Sequence, residues 1–424
     1  MKMNSTTTLA AALAATWTFF ACGAGAMELT ISAGDQPRPA GPMFFKPRPR
    51  LQEKATYLLT GPDGKTTPAQ VDNEGRLWWW AEAMKAGQSM TCELKKAPLA
   101  PAAAKAVKVE RVEDGLINVT IDGKLFTAFN CKNTEPKPYL YPVIGPTGEP
   151  VTRDYPMKDN PLEKNNKRQD HPHHRSIYCA HGDIRTNDFG KPGANYWHEA
   201  DSADQQDREK VTRIARMVSG PVFGQIEAEL EWVTAGGQRQ FTEQRTYTFF
   251  CGNDNNRLID VRNVFKFPDL DAMFADTKEG GLLSVRLAVT MDESGVQEPE
   301  RMHGRMTNAN GQVGEKECWG RAAAWCDYLG PVKGRTVGVA VFDHPTNFRH
   351  PTRWHIRGYG LYTANPFGLR SFTRDNGQNG SHTWKKGETA EFNYRILIHR
   401  EDTKSARVAD HWKLYSDPPE VTGQ

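Results

Sequence analysis

Phe223-Gly224-Gln225-Ile226-Glu227-Ala228-Glu229-Leu230-Glu231-Trp232-Val233 puts Ile226, Ala228, Leu230 and Trp232 on one face of an extended strand, turns through Ala235-Gly236-Gly237 and returns as Phe241 to Phe250. Residues two apart share a face only in a β-strand, so the spacing fixes the element type. Runs of about ten residues are long for strands and predict a broad sheet. The same alternation recurs in Arg257 to Phe267, Leu282 to Thr290, Arg335 to Phe342 and Glu391 to His399, the last with Phe392, Tyr394, Ile396 and Ile398 in step. Ile117, Val119 and Ile121 turn at Asp122-Gly123 into Leu125 to Phe129, the pattern of a hairpin. Helical spacing is nearly absent until Thr403 to Tyr415, where Ala406, Ala409, Trp412 and Leu414 predict a terminal helix packed on a sheet. Consecutive long strands without strand-helix alternation predict an all-β fold, a large antiparallel β-sandwich over residues 105–424.

Residues 27–104 read as a small N-terminal β domain, with short alternating segments Met27 to Ser32 and Ala55 to Thr60 and a turn at Gly61-Pro62-Asp63-Gly64. Trp78-Trp79-Trp80 sits in this part. Alternate residues of a strand face opposite ways, so packing against the main domain is expected over a sugar-stacking platform. Residues 97–107, rich in alanine and proline, read as a linker.

Residues 1–26 have the pattern of a secretory signal: Lys2, an apolar run from Leu9 to Phe20, and small residues up to Ala26, suited to cleavage before Met27. A secreted or periplasmic protein is expected. Phe19-Phe20-Ala21-Cys22 is a poor lipoprotein site, because an aromatic stands where leucine is usual. No later apolar stretch approaches the roughly 20 residues that span a bilayer, so no integral membrane segment is expected. With 54 basic and 51 acidic side chains the net charge is +3, which gives no reason to expect nucleic acid as a partner. Of the six cysteines after residue 26, Cys318 and Cys326 are spaced to bridge a hairpin, with buried free thiols the alternative.

Chemistry concentrates in Asp170-His171-Pro172-His173-His174-Arg175-Ser176-Ile177-Tyr178-Cys179-Ala180-His181-Gly182-Asp183 and Asn195-Tyr196-Trp197-His198-Glu199, which hold five of the chain's 12 histidines. Imidazole exchanges protons near neutral pH and ligates metals. In an extended segment His171 and His173 would face one way and His174 the other, so one strand cannot present all three to a small site. Asp276-Thr277-Lys278-Glu279-Gly280-Gly281 is a second constellation, with Arg286 on the following strand as its expected partner for sugar hydroxyls or a uronate carboxylate. The third is Asp343 to His355, an ordered loop because its His344-Pro345 and His350-Pro351 pairs exclude helix.

Lys137-Pro138-Tyr139-Leu140-Tyr141-Pro142-Val143-Ile144-Gly145-Pro146, the Asp170 to Asp183 segment, Asp276 to Gly281, and Asp343-His344-Pro345 through Asn365-Pro366-Phe367-Gly368 together resemble the PmoA-like family of exported bacterial proteins, over about residues 110 to 400. The methane oxygenase activity in that family's label does not transfer, since such a subunit is a bundle of membrane helices and this chain has none after residue 26. The resemblance implies an exported domain similar to the supersandwich of galactose mutarotases and several polysaccharide-active enzymes, with a glycan or small sugar as ligand.

Three functions follow as expectations. The first is a glycoside hydrolase or polysaccharide lyase. His174 is its proton-transfer group, Glu199 or Glu279 the acid or base complement, and His173 and His181 further catalytic residues. Arg175, Lys278, Arg353, His355, Trp354, His350, Tyr141 and Trp197 would bind substrate, with Tyr359 a further sugar platform. The second is a metal-dependent enzyme on a sugar derivative, with a divalent metal on His171, His173, His181 and His198. The third is a non-catalytic glycan-binding protein. No phosphate loop, dinucleotide fingerprint or serine elbow is present.

Overall fold

The computed structural model describes residues 27–53, 55–97, 106–293 and 304–423; the expected signal sequence with Cys22 and most of the expected linker lie outside them. The fold is a large antiparallel β-sandwich of two eight-stranded sheets. One, here the site sheet, runs in the order Trp354–Arg357, Leu361–Ala364, Gly280–Arg286, Ile177–His181, Tyr139–Val143, Lys124–Asn130, Leu116–Ile121 and Val107–Glu113. The other, the back sheet, contains the opening hairpin as Phe223–Val233 and Arg239–Asn253, continued by Asn256–Lys266, Thr389–Arg400 and Arg335–Asp343. Ile226, Ala228, Leu230 and Trp232 all enter the core between the sheets, as their alternation requires.

Two features of this core are illegible in the period-two pattern. Arg245, Glu243 and Glu209 are fully buried in it, with Arg245 Nε 2.6 Å from Glu243 and Nη2 2.9 Å from Glu209. Charges so far from water are tolerated only when paired or neutralised: Glu243 Oε2 accepts from both Arg245 Nη2 and Trp232 Nε1 at 2.7 Å, and burial raises Glu209 to about 8. The six cysteines Cys92, Cys131, Cys179, Cys251, Cys318 and Cys326 are buried free thiols, so Cys318 and Cys326 do not bridge.

A seven-stranded sheet covers the outer face of the back sheet and contains all strands between Met27 and Ala97. Its last strand, Glu420–Gly423, comes from the other end of the chain and pairs with Met27–Ser32. Pleat alternation divides the three tryptophans. Trp79 enters this sheet's own core, while Trp78 and Trp80 pack with Phe223, Phe250 and Leu397 of the back sheet.

The terminal helix spans Val408–Ser416, shorter than the periodicity predicts. Asp402 Oδ1 accepts from the backbone of Lys404 and Ser405 at 2.8 and 3.0 Å, a local turn that competes with helix over the preceding residues. Ala409 consequently faces solvent. Leu414 instead reaches the N-terminal core, where Gly41 leaves the space: a Cβ there would lie 2.7 Å from Leu414 Cδ2. The predicted strand Leu282 to Thr290 is likewise displaced to Gly280–Arg286, and Val289–Met291 forms one 3-10 turn. Beyond Arg286 the backbone leaves the ladder, with Leu287 and Ala288 donating to the Gly360 and Val151 carbonyls.

Leu414 is thus the point where the helix grips the N-terminal sheet. Leu414→Ala is expected to lower the unfolding free energy by about 2–5 kcal/mol, read by urea denaturation. A loss below about 1 kcal/mol would show that the helix does not hold that sheet.

Candidate functional site

His171, His173, His174 and His198 lie over the outer face of the site sheet. Alternation along Ile177–His181 sends Ile177 and Cys179 into the sandwich core and Tyr178 and Ala180 outward, where they meet Tyr139, Trp197 and Leu361. Residues 144–176 loop across this face. Glu163, in a single-turn helix Pro161–Asn165 capped by Asn160, accepts from the backbone of Asp154 and Tyr155 at 2.8 and 2.9 Å. The buried Arg153 then reaches forward to the Asp170 carbonyl at 2.9 Å and to that of His171.

That clamp explains why His171, His173 and His174 converge, contrary to the extended-segment expectation. The segment is a turn: His171 has φ of 48° and its carbonyl accepts from His174 N at 3.0 Å. The His171 and His174 rings stack with centroids 4.9 Å apart and planes within 2°, and His173 meets His174 edge-on at 4.4 Å. His198 comes from another loop, where Asn195 Oδ1 accepts from the backbone of both Trp197 and His198. Its ring packs against His173 at 4.5 Å.

The floor of the site is cationic. Arg286 Nη1 is 3.1 Å from His174 Nδ1. A guanidinium only donates, so Nδ1 accepts and the His174 proton sits on Nε2. Burial, and next Arg286, hold His174 neutral, its pKa well below 6.5. Burial with Lys137 and His198 lowers His173 to about 2, and its Nε2 has no partner. Lys137 is itself buried, donates to the Trp197 carbonyl at 2.7 Å, and is lowered by burial to about 8.

At the surface the site presents two similar pairs. His171 Nδ1 lies 3.1 Å from Asp170 Oδ2, and His198 Nε2 lies 2.9 Å from Glu279 Oε2, with the two imidazoles 41% and 45% exposed. Partial burial opposes ionisation of Asp170, but His171, Arg286 and Arg153 outweigh it and keep the carboxyl below its usual range. The hydrogen bond from His198, joined by Lys278, lowers Glu279 to about 2. Each ionised carboxylate therefore fixes one imidazole nitrogen as a donor. Tyr359 stacks on His171 at 5.5 Å and carries Arg286 against its ring.

Several predicted site residues belong to this assembly in other roles. Glu199 is engaged by Arg175 through two bonds of 2.6 and 2.8 Å, and Arg175 also pairs with Glu135, so neither group is free for a ligand. Trp197 is a buried wedge between His174 and Tyr178 rather than an open platform. His355 is buried behind it, and burial with Lys278 and Arg357 lowers it to about 3. Tyr141 donates to Asp154 at 2.7 Å and braces the loop.

Others lie elsewhere. His181 points to the opposite side of the site sheet, packs on Phe274 and Phe367 and donates to the Ala275 carbonyl; a Cβ on Gly280 would sit 2.4 Å from its Nδ1. Trp354 is a core residue bonded to the Ala323 carbonyl. His350 is held by Asp343 at 2.8 Å, beside Trp412, and Arg353 donates to the Gly320 carbonyl. Arg286 serves Asp170 and His174, not the Lys278-Glu279 loop. The four-histidine metal set is not assembled, because His181 is across the sheet; among the described residues no group of three or more His, Cys, Asp or Glu has the arrangement for a metal ion. Asp170, Arg153 and Lys137 are the residues that the sequence reading left out of the site. Asp170 carried a signal, its adjacency to the histidines, whereas nothing local marks Arg153.

The matched family is DUF6807, a family of unknown function, over residues 116–413, and the chain belongs to it. That description carries no mention of PmoA or of an oxygenase. No curated protein matches the chain. A crystal structure of a galactose mutarotase-like protein from Clostridium acetobutylicum is similar to 70% of this chain and 99% of its own, at 10% identity and a TM-score of 0.30, a level that carries no argument about chemistry here. No helix among the described residues is long and apolar enough to cross a membrane.

The buried imidazoles make the fold acid-sensitive. His173 binds a proton at 6.5 when exposed and only at about 2 in the fold, so the unfolded chain takes up the proton first and stability falls as pH drops below about 6.5. This group alone contributes a slope of at most about 1.4 kcal/mol per pH unit. In urea titrations between about pH 6 and 4, His173→Gln should flatten the decline relative to wild type; equal slopes would mean that His173 is protonated in the folded protein.

Proposed function

We propose that the protein is an acid–base enzyme on carbohydrate, of the polysaccharide lyase type. The observation that carries this reading is the pair of exposed imidazoles, His171 with Asp170 and His198 with Glu279, on either side of the neutral His173. A carboxylate that holds one nitrogen orients the ring and stabilises the imidazolium formed when the other nitrogen takes a proton.

In an elimination on a uronate, His198 Nδ1 takes the proton from C5, the electron pair forms the C4–C5 double bond, and the C4–O bond breaks. Protonated His171 supplies a proton to the departing oxygen, and solvent resets both rings. Lys278, 3.3 Å from Glu279 and 44% exposed, offers the positive charge that a uronate carboxylate requires. Tyr359 offers a ring face to the sugar.

Glycoside hydrolysis by Glu199 and Glu279 is less well supported. That route needs one carboxyl with a raised pKa and a second free to act as base or nucleophile. Glu279 is lowered instead, and Glu199 is sequestered by Arg175.

The test is a screen of pectate, alginate, glucuronan and chondroitin, followed by the ultraviolet absorbance of the unsaturated product. His198→Ala and Glu279→Gln are expected to lower kcat by about 10²- to 10⁴-fold while melting temperature stays close to wild type. New reducing ends without the chromophore would indicate hydrolysis, and binding without either product would indicate a glycan-binding protein.

A further inference from the structure

The opposite side of the sandwich holds a second cleft. On the back sheet, the residues that alternate with the core set point outward, among them Gln225, Glu227, Thr246 and Thr248, and the N-terminal sheet overhangs them. A cavity of about 360 Å³ remains between the two. That volume is within the roughly 300–1,000 Å³ of clefts that hold small ligands.

One wall is aromatic. Phe44 and Trp78 lie 4.8 Å apart by ring centroid, with the Arg76 guanidinium over both at 5.5 and 5.2 Å, and Phe44 is 36% exposed. Tyr415 of the terminal helix lines the cleft as well, with Arg395 4.5 Å from its ring. The cleft is also lined with charge: each guanidinium in it is already paired, while Glu227 has no cation among the described residues and accepts from Asn73 at 3.4 Å and from Gln244. Arg262 grips Glu391 through two bonds of 2.8 Å, Arg395 grips Asp260 at 2.6 and 2.7 Å, and Arg76 holds Asp72 at 2.6 Å. Gln225 donates to Thr248 at 3.1 Å, yet its own Oε1, on a side chain only 5% exposed, has no partner.

We propose that this cleft is a binding site for a neutral carbohydrate, separate from the histidine face. An anionic ligand would have to open one of the arginine–carboxylate pairs, which costs more than a ligand contact returns, and a cationic one would find only Glu227 without a cation, at 9% exposure. Hydroxyls need no such exchange: they donate to the remaining lone pairs of the lining carboxylates, while a pyranose face packs on the exposed part of Phe44. Because the two sites lie on opposite outer faces, this proposal stands whether or not the histidine face is catalytic.

Cellohexaose, mannohexaose, xylohexaose and maltohexaose, titrated by calorimetry and by tryptophan fluorescence, are the probes. At least one is expected to bind and to change the emission, since Trp78 lines the cleft. Phe44→Ala should weaken that binding about tenfold or more, and a His171→Ala/His198→Ala variant should retain it. Phe44 is on the edge strand and partly exposed, so its variant is expected to fold. The proposal is overturned if none of the four probes binds the folded wild type. It is equally overturned if binding survives Phe44→Ala but disappears in the histidine variant.

Discussion

The pleat of a β-strand gives each long strand two faces, and burying one of them governs the rest of this molecule. Once Ile226, Ala228, Leu230 and Trp232 of the back sheet meet Ile177, Cys179, Val285 and Ile356 of the site sheet, the sandwich is closed. The remaining faces must be solvated, covered or used. One is crossed by the loop that carries the histidines, and the other is overhung by the N-terminal sheet. Chemistry is therefore placed outside the core, on rigid sheets that hold side chains such as Arg286 and Tyr178 in fixed positions.

Within the histidine site, position depends on polar clamps more than on packing. Arg153 fixes the backbone of Asp170 and His171, Lys137 fixes that of Trp197, and Arg286 fixes the His174 ring. These cations are all buried, and each lowers the proton affinity of the imidazoles that it faces. The buried His173 and His174 are thereby kept neutral, while the two exposed rings have carboxylate partners.

Much of the architecture was legible because it rests on a repeating local rule. The back-sheet hairpin, the Asp122-Gly123 turn and the split orientation of the three tryptophans all follow from period-two alternation. The terminal helix was legible in kind but not in extent, because the Asp402 turn competes with its first residues. In the site, the density of histidines was visible, but their division into buried and exposed rings was not. His350, Trp354 and His181 lie away from the histidine face, since residue type and proximity in sequence do not say where a side chain points once turns intervene.

The sequence by itself determined the antiparallel sandwich, the helix at its end and the segment in which titratable groups gather, because hydrophobic spacing and composition are local properties that survive without knowledge of partners. Only the tertiary structure decided that His171 turns left-handed to stack on His174, that Glu279 reaches His198 from 81 residues away, and that Glu199 is taken by Arg175. Those contacts arise from loops and strands remote in the chain, and the protonation states that decide the chemistry depend on burial and neighbouring charge, which exist only after folding.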